Sequence, residues 1–424
     1  MEWSGAPYRL TSRTSAMDSA TQTIGGGRLQ TRRHRESNIM APRALLQRIV
    51  IATVFMVGVL GGTSASARTI SYATGYPPNS IGSDSALAYA DALKELSGGD
   101  LSVKVFPMSL LSFSEASPGI RDGMADSGFV LFSYFPSEFP NTNLIAELTM
   151  LLELDDVAPS HAGLAYVGAM SEYLFHHCPE CVEEFAAQNQ VFTGASASAP
   201  YMMLCNKEVT SLADIKGKRL RSAGPQWARW AQAVGGTPVT ISVSDAYEAL
   251  NQGVLDCSIS SSVDLDIFRL SEVVSDVTAG VPGGVFGGTG VNNFNRKVWQ
   301  GLSEAQREQV LRASATFGAI ISWDYQVGAA RELEAAPKQE IKVHEPAGDL
   351  QQESHRFIVE DMKTIARNYQ SRSGVDNAEQ SIKAFQPILS KWVKLVKEVS
   401  NPEELAEIYW RETYSKVDVS EYGF

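Results

Sequence analysis

From Glu304 to Ala336 the chain runs for 33 residues with no proline and only two glycines, Gly318 and Gly328, until Pro337 ends the stretch. Ser303 and Gln306 make a capping-box pattern at its start. Val310, Ala313, Phe317, Ile320 and Ile321 follow at helical spacing. At ~1.5 Å per residue such a helix is about 50 Å long, longer than one lobe of ordinary size. The whole chain, 424 residues, also exceeds a single ordinary core. Two lobes are therefore expected, with helix 304–336 bridging both.

Ahead of that helix, strand and helix patterns alternate, which predicts an α/β fold with largely parallel sheets. Thr69–Ala73 reads as a strand, Ser83–Leu96 as a helix stopped by Gly98-Gly99, and Leu101–Phe106 as a strand with period-two alternation. Gly128–Phe132 is a continuous apolar run, as in a buried parallel strand. A second unit then begins, with strands at Tyr201–Cys205, Lys218–Ser222, Pro238–Ile241 and Val254–Cys257 and a helix at Pro225–Val234. The expected division is 68–192 plus 281–320 for lobe I and 193–280 plus 321–424 for lobe II. The Gly-rich segment Gly283–Gly290 has no lysine to cradle phosphate and reads as a hinge loop.

Charge separates a leader from a body. Residues 1–67 hold eight arginines, no lysine and three acids, a formal +5, and the rest holds 28 basic against 45 acidic residues, −17. An acidic body argues against nucleic acid as a partner. Arg43 and Arg48 precede the apolar run Ile49–Leu60, followed by Ala65-Ser66-Ala67. That is a secretory signal-peptide pattern over 40–67, with cleavage near Ala67 and a periplasmic destination; the run is short of the ~20 residues a membrane span needs. Residues 1–39 are polar and aperiodic, expected to be a disordered extension or to precede a true start at Met40.

Four cysteines follow, Cys178, Cys181, Cys205 and Cys257. In an exported chain an even count favours disulfides, with three pairings open. His176-His177-Cys178-Pro179-Glu180-Cys181 also has the ingredients of a zinc or redox site, although no second ligand pair of that kind occurs. Cys205 and Cys257 each end a strand pattern, and a bridge between them depends on Cα separation.

The run "SLADIKGKRLRSAG", then "WAQAVGGTPVTISVSDAYEALNQGVLD", resembles the core signature of the extracytoplasmic solute receptors of TRAP (tripartite ATP-independent periplasmic) transporters, C4-dicarboxylate-receptor type. "GGDLSVKVFPMSLLSF" and "VWQGLSEAQREQV" are similar to further parts of that family. The resemblance implies a two-lobed periplasmic-binding-protein clamshell, type II-like, that delivers a bound organic acid to integral membrane permease subunits without cofactor or turnover. It also implies that the arginine closing I-K-G-x-x-x-R, here Arg221, grips the ligand carboxylate. A guanidinium fork fits a planar carboxylate with two parallel charge-assisted hydrogen bonds. Arg219 alternates to the other strand face and is expected to be structural or solvated.

Two departures from the family pattern bear on the ligand. No arginine lies between Val191 and Ile215, and Ser260 stands where an asparagine is expected. Both remove polar anchors, so a monocarboxylate with an apolar or aromatic body is expected. Ser196, Ser198, Tyr201, Trp227 and Phe132 are candidate walls, with Asn79 and Ser80 from lobe I. The competing readings are an exported enzyme or a metal or thiol protein using Cys178 and Cys181, and an ABC-type binding protein. There is no G-x-S-x-G, H-E-x-x-H or phosphate loop to support an enzyme.

Overall fold

A computed structural model describes residues 67–154 and 157–424. The expected extension 1–39 and all of the expected signal peptide except Ala67 lie outside the described residues. The strands are β1 (Arg68–Thr74), β2 (Leu101–Pro107), β3 (Ser127–Leu131), β4 (Gln190–Val191), β5 (Pro200–Cys205), β6 (Arg219–Arg221), β7 (Thr237–Val239), β8 (Cys257–Ser260), β9 (Asp276–Val285), β10 (Thr289–Asn295) and β11 (Lys342–His344). They make two sheets, one ordered β2-β1-β3-β10-β4 and the other β11-β9-β5-β8-β6-β7. The architecture is mixed α/β and two-lobed. Parallel pairs β1–β2, β1–β3, β6–β7 and β6–β8 form the crossover-linked part of each sheet.

The chain passes between the sheets at residues 192–199, which join β4 to β5, and again at 286–288, which join β9 to β10. These two passages are tied together. Ser198 N donates to Phe286 O at 3.1 Å and Phe286 N donates to Ser198 Oγ at 2.9 Å. The long helix, Glu304–Ala335, opens with the capping box of Ser303 and Gln306 and spans about 48 Å. It runs beside the first passage, where Ala197 N donates to Ser322 Oγ at 3.1 Å. A Cβ on Gly318 would lie 2.4 Å from Ala195 O, so the helix reaches the passage only because it has glycine there.

Three boundaries depart from the sequence expectation. β9 stays in the second sheet to Val285, so residues 281–285 do not join the first. The chain end, expected with lobe II, returns to the first sheet: Tyr422 OH donates to Phe192 O at 2.8 Å and Trp299 Nε1 to Tyr422 O at 2.7 Å. The expected strand Val254–Cys257 instead begins at Cys257, because Val254 is exposed in a turn and the Asp256 carboxylate is held by Arg219. Cys257 thus faces Cys205 across the antiparallel β5–β8 pair, and the two are disulfide-bonded, as are Cys178 and Cys181. No helix among the described residues is long and apolar enough to cross a membrane.

Candidate functional site

Side chains just past the carboxyl ends of the parallel strands converge between the two sheets, where open α/β sheets place their ligands. β1 leads to Tyr76, β3 to Leu131 and Tyr134, β6 ends in Arg221, β7 leads to Val243 and β8 to Asp264. Ser196, Ser198, Tyr201 and Phe286 close the hinge side and Tyr325 of the long helix closes the back. The cavity between them is about 40 Å³ and is lined by residues of both lobes. A larger space of about 480 Å³ lies behind Tyr201, but no lysine or arginine lines it.

Arg221 is 1% exposed. Its Nε donates to Ile241 O (3.2 Å), its Nη1 to Ile259 O (3.4 Å) and Ser260 Oγ (3.2 Å), and its Nη2 to Tyr134 OH (3.0 Å). All four partners are uncharged. A guanidinium has five N–H groups, so one Nη2 hydrogen is uncommitted. Tyr134 OH accepts from Arg221 and from Val243 N, at 3.0 Å each, which leaves its own hydrogen to donate. Val243 and Arg221 lie on the second sheet's side and Tyr134, past the end of β3, on the first's, so this hydroxyl bridges the lobes.

Asp264 lines the same cavity and is 4% exposed. Burial pushes its carboxyl up to about 7, against the attraction of Arg221 and a hydrogen bond from Ser260. Tyr325 OH donates to Tyr76 OH at 2.8 Å. Burial raises both phenols above the usual range, so both are neutral at physiological pH.

Of the residues singled out in the sequence, Arg221, Ser196, Ser198 and Tyr201 line the cavity. The Ser198 hydroxyl is occupied by the hinge, donating to Ala199 O at 2.7 Å. Ser260 stands behind Arg221 and holds it. Trp227 does not line the cavity; fully buried, it stacks on Tyr201 at 4.4 Å and backs that wall. Phe132 is corrected outright: it packs into the first lobe's core against Phe139 and Phe185. The chain leaves β3 in a 3-10 turn, Phe132–Tyr134, where residues three apart eclipse, so Leu131 and Tyr134 share the cavity side. Asn79 is an exposed turn residue with φ 60°, and Ser80 caps the helix Ile81–Leu96. Arg219 pairs with Asp256 at the surface.

The Cys178 and Cys181 sulfurs are joined, buried and outside the cavity lining, and a joined pair offers no thiolate to a metal. Among the described residues, one group of metal-ligating type, Glu208, Asp276 and His344, gathers its donor atoms within 4.8 Å. It sits at the β9–β11 edge, outside the cavity, with His344 Nε2 bonded to Asp276 at 2.8 Å.

A family model, bacterial extracellular solute-binding protein family 7, matches residues 72–372. The chain is also similar to solved structures of TRAP solute receptors. One is a Bordetella pertussis extracytoplasmic receptor described as binding pyroglutamic acid (20% identity, 76% of this chain and 100% of that one, TM-score 0.61). A second is a Rhodoferax ferrireducens solute-binding protein with co-purified benzoate (18% identity, 78% and 99%, TM-score 0.66). A third is a Bordetella bronchiseptica protein with bound (R)- and (S)-mandelate (17% identity, 76% and 99%, TM-score 0.64). Their shared fold is the two-lobed one described above.

Proposed function

The chain belongs to family 7 of the bacterial extracellular solute-binding proteins, and from that premise we propose that it is the periplasmic receptor of a TRAP transporter. It binds an organic monocarboxylate between its lobes through Arg221 and delivers it to an integral membrane permease by lobe closure. It performs no chemistry on the ligand. One observation carries this reading: a buried arginine in the interlobe cavity whose partners are all neutral. A buried charge is costly unless it is paired and hydrogen-bonded; none of the hydrogen-bond partners of Arg221 carries charge, and an entering carboxylate supplies one that does. The free Nη2 hydrogen of Arg221 and the hydroxyl hydrogen of Tyr134 are two donors available to it without breaking an existing bond.

The cavity walls include the apolar Phe113, Leu131, Phe268 and Phe286. Together with the single cation, they fit a monocarboxylate with an apolar or aromatic body, the class that includes the benzoate and mandelate found with the related receptors. Calorimetric titration of the purified protein with benzoate, mandelate, pyroglutamate and succinate tests this. The native protein is expected to bind at least one monocarboxylate, and Arg221→Ala to lose about a hundredfold or more, the scale for truncating one partner of a buried charge pair. Equal binding by the two proteins would refute the clamp.

A further inference from the structure

Arg221 is not the sole ionisable group in the cavity, and its companion has the opposite sign. Asp264 is more than nine-tenths buried, at the start of the short helix Asp264–Ile267 just past β8. Although it lines the same 40 Å³ space as Arg221, it is not one of the groups to which the guanidinium donates. At pH 8, above the value of about 7 to which burial raises it, Asp264 is ionised, and an ionised carboxylate only accepts hydrogen bonds. An anion bound opposite such a group meets repulsion unless the ligand turns a donor toward it. We propose that Asp264 makes this a receptor for carboxylic acids bearing a second group, a hydroxyl or an N–H, that donates to the aspartate while the carboxylate lies on Arg221. The inference rests on the carboxylate reading above and narrows it from any apolar monocarboxylate to hydroxy, amide or lactam acids.

The surroundings fit this division. Arg221 and Asp264 both stand on the second sheet's side, so ligand charge and ligand donor are read by one lobe. The remaining space is bounded by Tyr76, Phe113 and Phe268, with the Tyr76 ring 5.0 Å from Phe113 and 6.4 Å from Phe268. These rings have no second cation to offer a dicarboxylate.

Matched acids differing by one donor make the test: mandelate against phenylacetate, and 3-hydroxybenzoate against benzoate. Each is titrated calorimetrically at pH 8 into the native protein, Asp264→Ala and Asp264→Asn. In at least one pair the native protein should prefer the donor-bearing member by about tenfold or more, as sites built around a polar partner do. Both substitutions should cut that preference to about twofold, and donor-free acids should bind Asp264→Ala more tightly than native because the opposing charge is gone. No preference in either pair, or a preference that survives Asp264→Ala, overturns the inference and leaves the Arg221 clamp intact. Native-level binding of hydroxy acids by Asp264→Asn also overturns it, because the aspartate would then be acting as a protonated donor. Failure of all four acids, and of pyroglutamate, to bind the native protein overturns the carboxylate reading itself, and this inference with it.

Discussion

Asp264 carries a stability cost that depends on pH in a direction the structure fixes. Its ordinary value of 3.8 rises to about 7 because burial disfavours the charged form more than Arg221 and Ser260 favour it. A carboxyl raised on folding keeps its proton in the native state while the unfolded chain has lost it. Stability therefore falls as pH rises from about 4 to about 7 and is level above that. A shift of that size corresponds to about 4 kcal/mol at pH 8, and to less than about 2 kcal/mol at pH 5. The other titratable groups facing the site are Arg221 and the tyrosines 76, 134, 201 and 325; they are common to native and variant. So is Asp324, raised to about 6 by burial and by Asp84 and Glu403. Asp264→Asn removes the Asp264 contribution alone. Urea unfolding of ligand-free native and Asn proteins at pH 5, 6, 7 and 8 should show the variant more stable, with a gain that grows toward pH 8. A gain independent of pH, or a variant less stable throughout, would refute the argument that this carboxyl is buried against its charge.

Arg229→Ala should destabilise by about 3–5 kcal/mol in urea unfolding, since it strands Glu147 and Asp361, both buried and each 2.7 Å from the guanidinium, without their cation. Gly318→Ala should cost about 1–3 kcal/mol, because the added methyl meets the Ala195 carbonyl, backbone that cannot step aside cheaply; the same unfolding assay reads it. Reducing Cys205–Cys257, which closes a loop of 52 residues, should lower stability by about 4 kcal/mol on the chain-entropy estimate, seen as a fall in Tm with reductant that Cys178→Ser with Cys181→Ser does not abolish.

The elements set by local chemistry were readable from the residues. The long helix follows from an uninterrupted periodic stretch with a cap, and Cys205 ends its strand as its apolar run indicates, whereas Cys257 opens its strand rather than ending it, and the antiparallel pair brings the two together. Arg221 was found because a motif marks it. Tyr134 and Asp264 carry no motif, and they become neighbours of Arg221 only when sheets formed by distant segments face one another. One signal was nonetheless present, because the rule that favours the carboxyl ends of open-sheet strands applies to Tyr76 and Asp264 as much as to Arg221. Phe132 misled because the continuous apolar run Gly128–Phe132 reads as one strand to its last residue, whereas the strand stops at Leu131 and Phe132 opens a turn of different period.

The two sheets divide the work of binding unequally. On the proposed reading, Arg221 and Asp264, both from the second lobe, offer an acid its charge partner and its donor partner while the cleft is open. Tyr134, Tyr76 and Leu131 come from the first lobe and, on the same reading, would reach the ligand only on closure. A ligand shifts an open–closed equilibrium only by its differential affinity for the two states, so on that reading closure falls to first-lobe contacts and selection to second-lobe ones. Protein groups already favour the closed form: Ser133 Oγ donates to Ala223 O at 3.1 Å, Tyr134 accepts from Val243 N, and Arg229 reaches across to Glu147. The Tyr134 hydroxyl is thus the point where ligand and latch meet. Its two accepted bonds tie the lobes together, and its remaining hydrogen is what the proposed carboxylate would engage.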